Sequence, residues 1–411
     1  MHKPFDIVDL KVLEALATYG PRNVTEVSRK LCMPAETLRK KLKRLSSQTF
    51  LRFNINVNLA NLGLRETIVF AEAVPGYENV LFEALKINDF WTFLSRCYGM
   101  FEGVVGIFVV PNENRSEFKH FISELERIGL SRKSQLFRST CFHSVQSKCK
   151  WFNPETKTWD FNWDVWTQEI ETENTDLPSI LVKPEASTVE ADEIDVFILK
   201  ELEKDATISF KKLAEKLDLS PQLVGYHYHN HLIGKGLLES FEVTVFHFGK
   251  DSEFSFFTFS FDEEGKLARF ASSLLDKPFV KALGRILDSN QLYGYLCFPR
   301  SEFRRFLEIL SKLVKSGSLE NYQYVIQDFA SSVRETIPYQ CFRKGKWVYD
   351  HERYINILNK SLVQTPSVED NAAPRLISEL KEDVSGNSHV NNNVMPNRTG
   401  QAAFCTRNRQ V

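Results

Sequence analysis

The chain contains no C-x-x-C pair. Its seven cysteines, Cys32, Cys97, Cys141, Cys149, Cys297, Cys341 and Cys405, are scattered over 411 residues. That scatter argues against a structural zinc site and a disulfide framework, and fits a reducing compartment. No run approaches the 18 or more apolar residues that a membrane span needs. The opening MHKPFDIVDLK has no hydrophobic signal core, so a cytoplasmic location without membrane contact is expected. A glycine-rich phosphate loop, an H-E-x-x-H helix and a nucleophile motif are all missing, so neither enzymatic activity nor a cofactor is expected. Charge of one sign is lacking too: Lys and Arg total 52 against 53 Asp and Glu. A uniformly basic nucleic-acid coat is thereby excluded, and any DNA-binding charge must be local.

That local charge is present in residues 24–45. Val24, Val27 and Leu31 form one apolar helix face, and Leu38, Leu42 and Leu45 form another. Cys32-Met33-Pro34 separates them, with Pro34 suited to the first turn of a new helix. The second helix carries Arg39, Lys40, Lys41, Lys43 and Arg44 on its other side. Two short helices around a tight turn, the second basic, are what major-groove entry requires. A solvated surface helix of a small bundle is the plainer alternative.

The pattern occurs twice. Asp9, Leu10, Val12, Leu13 and Leu16 match Asp195, Val196, Ile198, Leu199 and Leu202, and Leu38 and Leu42 match Val224 and Tyr228. Ser220 is a good N-cap and Pro221 a good first helical residue. After the first helix pair, residues 50–59 alternate apolar and polar and read as a wing strand. Residues 60–150 then read as β-α-β-β-α-β, the ferredoxin-like order, and residues 253–329 repeat it. The resulting plan has six parts: a winged helix-turn-helix at 1–59, an α/β domain at 60–166, an acidic linker at 167–191, a second winged helix-turn-helix at 192–247, a second α/β domain at 248–360, and a tail at 361–411 whose composition suits disorder. The strands of both α/β domains are apolar on both alternating sets of positions, so each sheet wants cover on both faces. Helices cover one face, and the other domain is the natural cover for the second, which predicts sheet-to-sheet packing inside one chain.

Asp9-x-x-x-Leu13-x-x-Leu16, the Leu31…Leu38-x-x-x-Leu42 pair and Leu219-Ser220-Pro221-Gln222-Leu223-Val224 resemble the feast/famine (Lrp/AsnC) transcriptional regulators of archaea and bacteria. The resemblance implies an α+β fold of two fused units, each a winged helix-turn-helix followed by a ferredoxin-like (ACT/RAM-like) βαββαβ domain. The units would pair as an intramolecular pseudo-dimer, with higher homo-oligomers also open. It further implies double-stranded DNA as partner and a small-molecule effector. The family has a Gly-x-aromatic-Asp stretch between its middle strands. Gly99, Phe101 and Glu102 are similar to it here, whereas Leu287-Asp288-Ser289-Asn290 departs from it in the second half.

For DNA, Thr37, Arg39, Lys40 and Lys43 are expected in the groove, with Lys41 and Arg44 nearer the phosphates. The two copies differ in charge. Residues 22–52 hold nine basic and two acidic residues, and residues 193–240 hold six lysines against eight acids. Phosphate neutralisation dominates affinity, so the first copy is expected to be the stronger reader and the second to lean on Gln222, Tyr226 and His229. His227 and His231 share a helical face, but no cysteine or carboxylate is spaced in sequence to complete a tetrahedron, so no metal is expected. The competing reading is a protein-interaction adaptor built from degenerate winged helices, in which the basic residues would face another domain.

Overall fold

A computed structural model describes residues 5–48, 51–140, 143–144, 151–172, 176–182, 188–245 and 251–363. The expected tail lies almost wholly outside the described residues; its first positions belong instead to a helix that runs to Val363.

Three helices open the chain, α1 (Ile7–Tyr19), α2 (Val24–Lys30) and α3 (Ala35–Gln48), followed by strand β1 (Leu51–Val57). Asp6 and Asp9 close a capping box on α1: the Asp9 amide donates to Asp6 Oδ1 at 2.7 Å and the Asp6 amide to Asp9 Oδ2 at 3.1 Å. Gly20 ends α1 at φ +84°, and a Cβ there would lie 2.7 Å from the Phe241 ring, so this turn has no room for a side chain.

The first α/β segment runs β2 (Leu64–Ala73), α4 (Glu78–Leu85), β3 (Trp91–Gly99), β4 (Gly103–Pro111), α5 (Arg115–Arg127) and β5 (Ser131–Arg138). A two-residue strand β6 (His143–Ser144), a hairpin of β7 (Phe152–Asn153) and β8 (Thr158–Trp159), and α6 (Trp163–Thr172) follow. The order then recurs as α7 (Glu193–Lys204), α8 (Phe210–Leu217), α9 (Pro221–Tyr226), a π-helical turn at His227–Ile233 and β9 (Leu238–Val245). Next come β10 (Ser252–Ser260), α10 (Glu264–Leu274), β11 (Val280–Ile286), β12 (Gln291–Pro299), α11 (Arg300–Ser316) and β13 (Asn321–Gln327). Short strands β14 (Val333–Arg334), β15 (Phe342–Arg343) and β16 (Lys346–Trp347) precede α12 (His351–Val363).

The main strands belong to one sheet, ordered β5-β2-β4-β3-β13-β10-β12-β11-β6. Antiparallel pairing of β3 with β13, through Cys97↔Gln327, Tyr98↔Ile326 and Gly99↔Val325, joins the two segments at their edges. The chain leaves the sheet at β5 and re-enters at the opposite end as β6, and a Ser139↔Ile286 bridge links the two, so the sheet curls onto itself. The expectation of two separate sheets stacked face to face is therefore corrected in its topology. The faces without helices do meet inside the curl: Phe70 and Tyr293 rings lie 6.0 Å apart, Phe93 and Phe256 5.6 Å, within one buried cluster. Closure leaves few free strand edges.

The outer layers are exchanged. Trp151, Trp163, Trp166, Ile170 and Leu181, which follow the first segment, bury themselves against Phe270, Phe279 and Phe306 of the second. Tyr354, Ile357 and Leu358, which follow the second segment, pack on Val80, Leu81 and Phe121 of the first. The acidic linker expected at 167–191 is corrected accordingly. Its described parts include the end of α6 and a 3-10 turn at Ser179–Leu181, and the apolar stripe Trp163, Trp166, Ile170 and Leu181 holds them down. The wing strands are exchanged as well: β1 pairs with β9, from Leu51↔Val245 to Val57↔Leu238, α1 packs on β9 and α7 on β1.

Candidate nucleic-acid interface

The first helix-turn-helix is α2–α3 and the second α8–α9. The turn residues Cys32 (φ 50°) and Asp218 (φ 54°) occupy the same left-handed conformation at matching positions. Asn23, Ser209 and Ser220 side chains cap α2, α8 and α9. Val27, Leu38, Leu16 and Val12 bury the inner faces of the first copy, and Val196, Leu199, Leu213 and Val224 those of the second.

On α3, Thr37, Arg39, Lys40 and Lys43 stand on the outer surface. Arg39 is tied only loosely, 3.8 Å from Glu36 one turn back. Lys41 and Arg44 turn inward. Lys41 Nζ lies 2.8 Å from Asp9 Oδ1 and 3.3 Å from Asp6 Oδ2, and Arg44 also pairs with Asp9. Their expected place near phosphates is therefore corrected: the carboxylate of Asp9, 1% exposed, takes both cations, because a buried charge needs partners. Arg22 is committed as well. Its guanidinium stands 4.9 Å from the Phe210 ring centroid and 5.2 Å from that of Tyr228, and its Nε donates to the Ala206 carbonyl at 2.9 Å. Arg29 pairs with Glu26 at 2.7 Å. Arg39, Lys40 and Lys43 thus carry the outward charge of α3.

In the second copy Gln222, Tyr226 and His229 are all exposed, and Tyr226 is 54% exposed despite its size. Sequence spacing offered His227 and His231 no carboxylate, but the fold brings two to them. Asp195 Oδ1 lies 2.8 Å from His227 Nδ1 and 3.0 Å from His231 Nδ1, and Asp192 Oδ1 lies 3.8 Å from His227 Nδ1. Sequence spacing hid this because the carboxylates come from the N-cap and the first turn of α7, more than thirty residues upstream.

Gly99, Phe101 and Glu102 lie at the β3–β4 connection. Phe101 lines a cleft of about 150 Å³ with Phe70, Glu72, Met100, Lys133, Gln135, Gln323, Tyr324 and Val325, so the cleft draws on both α/β segments. Gly99 pairs with Val325 at its edge with φ +120°, and Glu102 is exposed beside it without lining it. A separate cationic group gathers on the first segment. Arg138 is held below the usual arginine range by burial and by the neighbouring charges of Arg115 and Arg65, with Asp288 acting oppositely. Arg65 is buried, and its Nε and Nη1 have no hydrogen-bond partner among the described residues.

Residues 192–226 match the family model of the AsnC-type helix-turn-helix domain. No match was found among curated protein sequences. Among solved structures the chain is similar to siroheme decarboxylase NirDL, at 10% identity and a TM-score of 0.51, over 86% of this chain and 98% of that one. LrpC of B. subtilis is similar at 16% identity and a TM-score of 0.28, over 36% of this chain and 100% of that one. The transcriptional regulator NMB0573 of Neisseria meningitidis, solved with L-Met, is similar at 15% identity and a TM-score of 0.28, over 36% and 97%. The NirDL likeness establishes a shared fold along most of the chain. Because that likeness is to an enzyme and runs over most of the chain, it corrects the expectation that enzymatic activity is absent. No helix among the described residues is long and apolar enough to cross a membrane.

Proposed function

We propose that the chain is two joined winged helix-turn-helix plus ferredoxin-like units, and that it acts in the cytoplasm as a sequence-specific DNA-binding transcriptional regulator reading duplex DNA mainly through α3. The observation that carries this is the outward stand of Thr37, Arg39, Lys40 and Lys43 on a helix that follows a tight turn. Residues facing another domain, as an adaptor would have them, would be covered. Gln222, Tyr226 and His229 are the reading residues of the weaker second copy. The cleft at Phe101 offers one cation, Lys133, and one carboxylate, Glu72, to an effector of amino-acid size. Selection of bound sequences from a random duplex pool, followed by anisotropy with Lys40→Glu/Lys43→Glu, tests the reading: a consensus bound by the parent and lost in the folded variant is expected, and unchanged affinity defeats it.

A second reading, decarboxylation of a siroheme-type tetrapyrrole, is favoured by one specific observation beside the full-length likeness. The buried guanidinium of Arg65, whose Nε and Nη1 have no hydrogen-bond partner among the described residues, lies in one cationic group with Arg115 and Arg138 and suits a ligand with several carboxylates. Titration with siroheme, followed by its absorption bands and by carbon dioxide release, separates the two readings: binding lost in Arg65→Met supports the second, and spectra identical to free siroheme exclude it.

A further inference from the structure

We infer that Asp192, Asp195, His227 and His231 form a binding site for one divalent transition-metal ion, of the zinc class, that ties the start of α7, the helix preceding the second helix-turn-helix, to the π-helical turn that continues its recognition helix α9. The reasoning starts from the comparison between the two copies. Asp9 and Asp195 hold the same place, each the third residue of a capped helix and each with a 1% exposed carboxylate. Around Asp9 the compensating charge is permanent, from Lys41 and Arg44. Around Asp195 the same places are taken by two imidazoles, His227 and His231. The π-helical turn at His227–Ile233 winds one extra residue into the helix, and this brings His231, rather than Asn230, to the place that Arg44 holds in the first copy. A buried carboxylate in the second copy therefore has two imidazole nitrogen donors where the first has two cations, and a metal ion restores the missing positive charge.

The donor set fits. His227 and His231 both present Nδ1 to Asp195 Oδ1, at 2.8 and 3.0 Å, and Asp192 Oδ1 stands 3.8 Å from His227 Nδ1. All four donors lie within 4.8 Å of one another. A tetrahedral site with bonds of about 2.0–2.1 Å has donor–donor edges of about 3.3 Å, so modest side-chain rotation brings two nitrogens and two oxygens onto one ion. The mixed nitrogen and carboxylate set suits zinc, cobalt or nickel over magnesium or calcium, which prefer oxygen alone. Asp195 and His227 are buried while Asp192 is 46% exposed, which leaves an entry from solvent on the Asp192 side. The Tyr226 ring packs on both histidines, at 6.0 and 5.4 Å, so loading the site fixes the segment that presents Tyr226.

The experiment uses the full chain stripped with EDTA and dialysed against Zn²⁺, with bound metal measured by elemental analysis and Co²⁺ used as the optical probe. Binding of one Zn²⁺ per chain, and Co²⁺ d–d bands of tetrahedral intensity, are expected. Asp192→Asn, which keeps the N-cap but removes a charged ligand, should weaken Zn²⁺ binding by at least about tenfold, the lower bound for residues that merely support a ligand. His227→Lys/His231→Arg copies the first half and supplies the charge covalently, so it should fold, shown by an unchanged circular dichroism spectrum, and lose the stoichiometric ion. The inference is overturned if the parent takes up no Zn²⁺ under these conditions. It is equally overturned if the folded double variant binds as much as the parent, or if the parent gains stability only on acidification and none from Zn²⁺, which would make the charge a proton.

Discussion

Trp166 Nε1 donates a hydrogen bond to Ser273 Oγ at 3.1 Å, from a helix that follows the first α/β segment to a helix of the second. The opposite exchange is made by Tyr354, whose hydroxyl donates to Asp89 at 3.1 Å from the last helix back to the first segment. Together with the β1–β9 pairing and Arg22 over Phe210, these contacts place no plane through the molecule that separates one half from the other. Both helix-turn-helix copies are thereby held in a fixed relation to each other.

Truncation at Trp166 should be costly. The side chain is fully buried against Phe270, Phe279 and Phe306, so Trp166→Ala is expected to destabilise by about 3–5 kcal/mol. Tyr354→Ala should cost a similar amount, and both should lower one common urea transition. Two transitions, with only one shifted by each variant, would show that the halves unfold separately.

Asp9 predicts a division of labour between adjacent lysines. Lys41→Met removes one of two partners from a buried carboxylate and should lower stability by about 1–3 kcal/mol. Lys40→Met removes an exposed charge and should stay within about 0.5 kcal/mol of the parent. Chemical denaturation of the two variants side by side checks this, and equal costs would contradict the inward placement of Lys41.

Both helix pairs, both turns and the β-α-β-β-α-β order were legible because each rests on local rules: apolar spacing, Pro34 after Cys32-Met33, and Ser220-Pro221. What was not legible is the exchange. Trp163, Trp166 and Ile170 show an apolar stripe, but a stripe does not say which segment covers it, and the acidic residues around it read as solvated linker. The same limit hid the partners of Lys41, Arg44, His227 and His231. Each carboxylate that fixes them lies about thirty residues upstream, so spacing along the chain is uninformative until α1 and α7 are folded against the recognition helices.

Glu203 gives a pH dependence with a definite sign. Burial pushes its carboxyl up to about 8, although the Ile337 amide donates to it at 2.8 Å. The folded chain holds this proton more tightly than the unfolded one, whose carboxyl titrates near 4.5. The contribution to stability is full below about 4.5 and is lost as pH climbs toward about 8. Glu203→Gln should flatten thermal stability across that window and leave the variant relatively more stable at its upper end. A parent and variant that run parallel from pH 5 to pH 8 would place the titration elsewhere.

The last prediction concerns how DNA affinity depends on salt. Arg39, Lys40 and Lys43 are the outward cations of α3, while Lys41, Arg44 and Arg22 are spent within the fold. Each phosphate neutralised contributes about −0.9 to the slope of log affinity against log salt. Whichever of Lys40 and Lys43 meets a phosphate should, as its Gln variant, weaken binding to every duplex alike and make the slope shallower by about 1. Whichever of the two meets a base edge instead would, on its loss, relax preference at one position of the selected consensus and leave the slope nearly unchanged. Gln222→Ala, on the uncharged outer face of α9, should leave the slope intact whatever it does to sequence preference. A full-chain slope that none of the α3 variants alters would mean that the phosphates are met elsewhere on the molecule.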